Sequence, residues 1–408
     1  MNNPYESARK AVQWGFFLLG VPVGTLVPRL AEIKQSIDAS DASYGSAVAL
    51  GGLGVLAGNY VGSRIAHRYG TSTTARVIFV LVMFTNLSNA FAPSVPWFTV
   101  VAVSGGFAFA GIMVAVNSQG ALVEQGLGRS FMPRAHAFWS IGTMTSALLS
   151  SIAAPYITPR QALSVAFLLA IIAYQFLATD MLPQQHEDGP AGDASQLQRH
   201  ERIPAHVLRF ILLVACAHWM GLFAEVSVGD WSSVLLKEHL DIPVGPNGYA
   251  FTTFMLFQML GRLNAPRIVD RKSLAFVVRV FGLIGGIGFL LFLAVAMAVR
   301  DTTQIGALLS ACLSYGCMGL GVSAMPPAWM SATASIRGLP TVRALALLGS
   351  ITAVTNVVAR ILLAQAAEHW SLPVALSITG VAAIGAANMT SLLHPERIDR
   401  HAINRESA

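Results

Sequence analysis

Residues 275–298 read AFVVRVFGLIGGIGFLLFLAVAMA, a run of twenty-four residues in which Arg279 is the one charged side chain. An α-helix rises about 1.5 Å per residue and the hydrocarbon core of a bilayer is about 30 Å thick, so about twenty apolar residues can cross it. Backbone polar groups must be satisfied inside lipid, which favours a helix over an open strand. This run therefore predicts a membrane-spanning α-helix.

Eleven more apolar runs of similar length occur along the chain of 408 residues, which is 54% hydrophobic and only 11% charged. A soluble domain carries roughly 25% charged residues, so this chain has too little polar surface to cover a water-exposed globule. The predicted fold class is therefore an all-α polytopic membrane protein with about twelve transmembrane helices. The predicted spans are 12–31, 44–66, 75–93, 97–120, 134–155, 161–181, 207–228, 248–269, 275–298, 303–325, 343–366 and 372–393.

The longest polar insert runs from Pro183 to Pro204, between the sixth and seventh predicted spans. It divides the chain into two six-helix bundles. We expect an N-terminal bundle over 1–182, a cytoplasmic linker over 183–206, a C-terminal bundle over 207–394 and a cytoplasmic tail over 395–408.

The positive charges predict the orientation. Of 26 Lys and Arg residues, twenty fall on the side of the N-terminus, and Arg360 falls inside a predicted helix. The other side holds Arg29, Lys34, Arg160, Lys237 and Arg300. Because cytoplasmic loops are enriched in Lys and Arg, both termini are predicted in the cytoplasm of a cell inner-membrane protein. Trp97, Trp231 and Trp370 then lie at outer helix ends, where interfacial aromatic residues are expected.

Two short segments indicate an internal duplication, which would make the bundles pseudo-symmetric. Residues 58–68 and 261–271 cover the end of the second predicted helix of each half and the start of the loop that follows it. A glycine, an Arg-Ile pair and a final arginine coincide between them at an offset of 203 residues. Transporters are often built by duplicating a helix bundle, so a transporter is the predicted class.

This loop resembles that of the major facilitator superfamily, which carries glycine, an Asp-Arg pair, a second glycine and basic residues after the second helix. Gly62, Arg68 and Gly70 carry the resemblance, whereas His67 stands in place of the acid. The second copy keeps Asp270 and Arg271. The resemblance implies that the loop braces the cytoplasmic helix ends through charge pairs. It also implies that the first, fourth, seventh and tenth helices line a central cavity.

A second stretch resembles the bacterial permeases related to fucose permease. It comprises Asn117, Gly120, Glu124, Gly128, Arg129, Met132, His136, Ala137, Trp139, Ser140 and Gly142. This resemblance implies a proton-coupled porter for a sugar or polyol. The fifth helix lacks the Gly-Pro signature of drug antiporters and offers Gly142 and the late pair Ala154-Pro155 instead.

Three ionisable residues lie at similar predicted depth in the outer half of the membrane: Glu225, Arg360 and Arg29. Burying a charge in lipid costs about 2.5–3.5 kcal/mol even on the lenient insertion scale, so such residues normally face the bundle interior. Glu225 paired with Arg360 or Arg29 forms a predicted proton-coupling device, because protonation would break the pair. The alternative is a fixed ion pair that only orients helices.

Amide side chains inside the spans are candidate substrate contacts, since they bind hydroxylated solutes without burying charge. They are Asn117, Gln119, Gln258 and Asn356, and helix packing is the alternative for each. A predicted cytoplasmic gate comprises Glu124, Arg129, Arg134 and His136, together with Arg68, Asp270 and Arg271 of the loop motif. Ordinary interfacial charge is the alternative for the gate.

The function predicted is secondary active transport of a small polar solute, a sugar or related metabolite, with protons as the coupling ion. There is no phosphate loop for ATP, no metal-ligand spacing, no nucleophile with a base and no dense basic patch for nucleic acid. We therefore expect no enzyme activity and no cofactor, and a small-molecule solute and the lipid bilayer as partners. Two rivals stay open: efflux of drugs or amphipathic metabolites, and a non-transporting membrane receptor or scaffold.

Overall fold

The computed structural model describes residues 4–129, 131–186, 203, 205–336, 339 and 341–393. Within this part the secondary structure is helical and contains no strand. Most of the predicted linker and all of the predicted tail fall outside the described residues, apart from 183–186, 203, 205 and 206.

In the described ranges, seven α-helices precede the linker and seven follow it. The first set is α1 Pro4–Leu26, α2 Leu30–Ser36, α3 Asp41–Tyr69, α4 Thr71–Asn89, α5 Val95–Leu127, α6 Met132–Ala153 and α7 Pro159–Leu177. The second set is α8 Ala205–Val234, α9 Tyr249–Val269, α10 Leu274–Val299, α11 Gln304–Val322, α12 Met325–Ala334, α13 Thr341–His369 and α14 Leu372–Asn388. A π-helical turn, Leu235–His239, continues α8.

Twelve stretches of helix overlap the twelve predicted spans. Eight described stretches are long and apolar enough to cross a membrane, and two of them join a long helix to a short one: α1 with α2, and α11 with α12. The helix α14 is apolar but shorter. The other three, α3, α6 and α9, are long but less apolar. The polar residues of α6, among them Ser140, Thr143, Ser146, Ser150 and Ser151, show why.

Contacts group the chain into two compact units. Unit 1 comprises Met1–Ala194 and Asp230–Met255, and unit 2 comprises Ser195–Gly229 and Leu256–Ala408. The boundary differs from the predicted halves, because residues 230–255, which follow the linker in sequence, pack within unit 1.

Unit 1 is held together by close glycine contacts between α3 and α5. Four glycines, Gly51, Gly54, Gly58 and Gly62, recur every three or four residues along α3 and so form one stripe. A Cβ on Gly54 would overlap the carbonyl oxygen of Val103, and one on Gly58 would overlap that of Phe107. Small residues let membrane helices approach closely, and here the backbones themselves are in contact.

Unit 2 uses the same device between α10 and α11, where Gly285 and Gly321 face each other. Its hydrophobic core surrounds the fully buried Met325 and Trp329 of α12. The core thus includes the short helix that follows the break between α11 and α12.

Candidate functional site

Three helices of unit 2 carry polar residues at helical spacing. On α8, His218 and Glu225 are seven residues apart; on α9, Gln258 and Arg262 are four apart; on α13, Thr352 and Asn356 are four apart. Residues at these spacings share one face of a helix. These six residues are called the polar face of unit 2.

Two contacts join the three helices of the polar face. Glu225 Oε1 lies 3.5 Å from Arg262 Nη2, which links α8 to α9. His218 Nδ1 lies 3.3 Å from Thr352 Oγ1, which links α8 to α13. The side chains of Glu225 and Arg262 are 19% and 31% exposed, so the protein buries this ion pair only in part.

The partner of Glu225 differs from those considered in the sequence. Neither Arg29 nor Arg360 forms the ion pair recorded for Glu225, which is with Arg262 one turn past Gln258. Arg29 is fully buried in unit 1, where Nε lies 3.2 Å from Glu32 Oε2 and Nη2 donates to the carbonyl of Ile157. Arg360 has an interaction of its own. Helix rotation, which sequence spacing alone does not define, decides among such partners.

Buried amides of the polar face retain bonding capacity. Gln258 is fully buried, and neither its Oε1 nor its Nε2 has a hydrogen-bond partner among the described residues. The same holds for Asn356 Oδ1 and for Nε1 of Trp219, which adjoins His218 on α8. A buried polar group without a partner costs about 1–3 kcal/mol, so each such atom calls for a ligand or water.

Gln119 differs from the amides of the polar face, because both its amide nitrogen and its amide oxygen are hydrogen-bonded to residues of unit 1. Its Nε2 donates to Thr71 Oγ1 and to the Leu182 carbonyl, both at 2.8 Å, and its Oε1 accepts from the Leu182 N–H at 3.0 Å. This arrangement fits the alternative of helix packing, with Gln119 holding the chain after α7 against α4 and α5. Asn117, two residues earlier, keeps a buried Oδ1 that no described residue bonds.

The predicted gate residues that lie near α6 contact other residues of unit 1. Glu124 accepts from the backbone N–H groups of Phe131 and Met132 at 2.6 and 2.9 Å, and so caps the start of α6. Arg129 Nη2 lies 2.6 Å from Glu6 Oε1, and the His136 ring packs 4.9 Å from that of Phe16. These contacts all lie within unit 1.

The remaining predicted gate residues are exposed: Arg134, Arg68, Asp270 and Arg271. The guanidinium of Arg68 lies 5.3 Å from the ring centre of Tyr69. In these positions they fit the alternative of interfacial charge as well as a gate.

A buried charge cluster that the sequence analysis did not select lies in unit 1. Lys34 Nζ is 2.8 Å from Asp41 Oδ1 and 2.5 Å from Glu238 Oε2, and the three side chains are 8%, 14% and 21% exposed. Lys34, Asp41 and Glu238 are called the Lys34 cluster. Glu238 is presented by the π-helical turn, a form that is rare and often found at functional sites.

Aromatic and polar contacts hold residues 230–255 beside the Lys34 cluster. The Tyr44 hydroxyl donates to the Asp230 carbonyl at 2.9 Å, and the Trp231 ring meets that of Tyr44 edge-on at 5.2 Å. Trp231 is 1% exposed, because α8 continues past residue 228 and carries this side chain into the packed unit. Asn247 Nδ2 donates to the Pro28 carbonyl at 3.4 Å.

The family comparison matches residues 14–342 to the Major Facilitator Superfamily. An uncharacterized transporter of Sinorhizobium fredii is 26% identical over 344 residues, which cover 83% of this chain and 85% of the relative.

Two solved structures share the fold. A D-xylose-proton symporter superposes with a TM-score of 0.73 at 14% identity, covering 94% of this chain and 96% of its own. A nucleoside transporter gives 0.72 at 14% identity, covering 95% and 99%. At this identity the likeness shows the fold alone, and it confirms the predicted all-α, twelve-helix class.

Proposed function

The chain belongs to the Major Facilitator Superfamily, and on that premise we propose that it moves a small polar solute across the inner membrane by alternating access. The observation that carries the proposal is the polar face of unit 2, where amides and an ion pair lie on helices that overlap the predicted membrane spans. Polar residues in lipid are costly and are usually retained for function. The resemblance to fucose permease and the fold shared with a D-xylose-proton symporter support a sugar or related metabolite as the solute.

Proton coupling is assigned to Glu225. The ionised carboxylate of Glu225 attracts the guanidinium of Arg262. Protonation of Glu225 removes that attraction, so the contact that this ion pair makes between α8 and α9 is released. The charge change thus biases a contact between two helices, as a proton-driven conformational step requires.

The Lys34 cluster is assigned to one of the two gates, on the predicted outer side. Glu238 and Asn247 follow the linker in sequence, yet they contact residues 28–41. Alternating access through two halves, 1–182 and 207–394, requires such contacts to form in one state and break in the other. Both termini lie in the cytoplasm in this proposal, as the Lys and Arg distribution predicts.

Glu225→Gln is expected to abolish accumulation driven by a pH gradient while leaving solute exchange at equal pH within about twofold. Glutamine keeps the shape and polarity of the side chain, but its amide does not take up or release a proton near neutral pH. Uptake of labelled D-xylose, uridine and nicotinamide into proteoliposomes, with and without an imposed pH gradient, measures both activities. The matched control is Glu368→Gln near the end of α13. Unchanged pH-driven accumulation in Glu225→Gln would remove Glu225 from the coupling step.

A further inference from the structure

The polar face of unit 2 has unused hydrogen-bonding capacity of one chemical kind. Gln258 offers an acceptor and a donor side by side on one planar amide, both without a partner in the part of the chain that the structure describes, and the side chain is fully buried. Asn356 adds a buried acceptor and Trp219 a buried donor. All these groups are neutral.

The charged groups of the same face are already engaged. Glu225 and Arg262 lie against each other. His218 is in contact with Thr352. While Glu225 is ionised, a charged solute would therefore lose its hydration without gaining a counter-charge from this face, which makes its burial unfavourable.

We infer that the transported solute is uncharged and presents a hydrogen-bond donor and an acceptor next to each other on one edge. The amide of Gln258 hydrogen-bonds to this edge. Sugars and polyols present such an edge through neighbouring hydroxyls, and carboxamides and nucleobases through an N–H beside a carbonyl. Trp219 and Phe223, whose rings stack at 5.6 Å, offer a flat apolar surface near the Trp219 N–H. This inference rests on the proposed function and narrows its substrate class.

Gln258 differs from a structural glutamine in a measurable way. Removing a side chain that bonds within the protein, such as Gln119, leaves its partners unsatisfied and destabilises the fold. Gln258→Leu instead replaces two unsatisfied buried atoms with apolar ones of similar size. The melting temperature of the ligand-free protein should therefore stay the same or rise, while solute binding falls about tenfold or more.

The test compares three matched pairs on the purified full-length protein: D-xylose with D-xylonate, uridine with uridine monophosphate, and nicotinamide with nicotinate. Melting-temperature shifts and equilibrium binding are recorded for wild type, for Gln258→Leu and for Asn264→Leu. Asn264 is the control because it lies on α9, is exposed and donates to the Leu260 carbonyl of its own helix. We expect the neutral member of a pair to bind at least about tenfold more tightly than its charged partner, and Gln258→Leu alone to lose that binding.

Tighter binding of the charged member in the pairs that bind would overturn the inference and leave the proposed transport intact. The same holds if Gln258→Leu lowers the melting temperature of the ligand-free protein and keeps wild-type binding, since Gln258 would then be structural. Failure of every pair to bind, together with no exchange of labelled solute in proteoliposomes, would overturn the proposed function and this inference with it.

Discussion

Lys34→Met is expected to release residues 230–255 from the rest of unit 1. The substitution leaves the carboxylates of Asp41 and Glu238 largely buried and facing the same space without the cation between them. Breaking a buried ion pair by removing one partner costs about 3–5 kcal/mol, whereas methionine restores only the apolar stem of the lysine. The substitution thus destabilises the state in which Lys34 contacts Asp41 and Glu238. A state in which residues 230–255 are released from the rest of unit 1 gains population.

Thiol labelling measures that opening directly. Ser232 is fully buried in unit 1, so Ser232→Cys provides a silent reporter once Cys216, Cys312 and Cys317 are replaced by serine. We expect the labelling rate to rise about tenfold or more with Lys34→Met, since about 1.4 kcal/mol already changes an equilibrium tenfold.

Arg300→Met is the control for the loss of a positive charge. Arg300 lies 3.5 Å from Asp301, but its side chain is 40% exposed and that of Asp301 is 83% exposed. Exposed ion pairs contribute about 0–1 kcal/mol, so the reporter should label at the wild-type rate. Equal labelling rates in Lys34→Met and wild type would show that the Lys34 cluster does not hold residues 230–255 against the rest of unit 1.

Gly54→Val is expected to cause the largest loss of stability among single substitutions in α3. The added Cβ would overlap the Val103 carbonyl oxygen and approach the Phe107 amide, so α3 and α5 must separate along their whole contact. Overpacking typically costs about 1–3 kcal/mol and more where backbone must move, as it must here. The result is a protein that leaves the monodisperse peak in detergent.

Gly349→Val separates this packing effect from helix propensity. Gly349 lies within α13, and a Cβ there meets no atom within 4 Å. Both substitutions put a β-branched residue into a helix, so their intrinsic propensities are matched. Size-exclusion profiles after heating should show wild-type behaviour for Gly349→Val and loss for Gly54→Val. Similar profiles for the two would contradict the close contact of α3 with α5.

The sequence predicts the helices well because a membrane span is a local property. Each apolar run must be helical whatever its neighbours are, and the twelve runs map onto helices with shifted ends. Glu225, Gln258 and Asn356 are candidate site residues for the same reason, since a polar residue within such a run is conspicuous. Arg262 was not predicted as the partner of Glu225, because that pairing depends on how two helices are rotated.

The Lys34 cluster was missed because its members lie beyond the predicted ends of their spans. Lys34 follows an apolar run ending near residue 31 and looks like an ordinary loop charge. The structure continues the chain through Val27–Arg29 into α2 and extends α8 through a π-helical turn to His239. These extensions, which depend on tertiary packing, bring Lys34 and Glu238 together across 204 residues of sequence.

Solute counterflow in proteoliposomes tests whether this chain is an alternating-access carrier. Vesicles holding the wild-type protein are loaded with unlabelled solute and diluted into labelled solute, using D-xylose, uridine and nicotinamide in turn. A carrier exchanges internal solute for external solute, so we expect the label for at least one solute to rise transiently inside the vesicles above its external concentration and then to decay. If the label never exceeds the level in protein-free vesicles for any of the three solutes, this chain is not such a carrier.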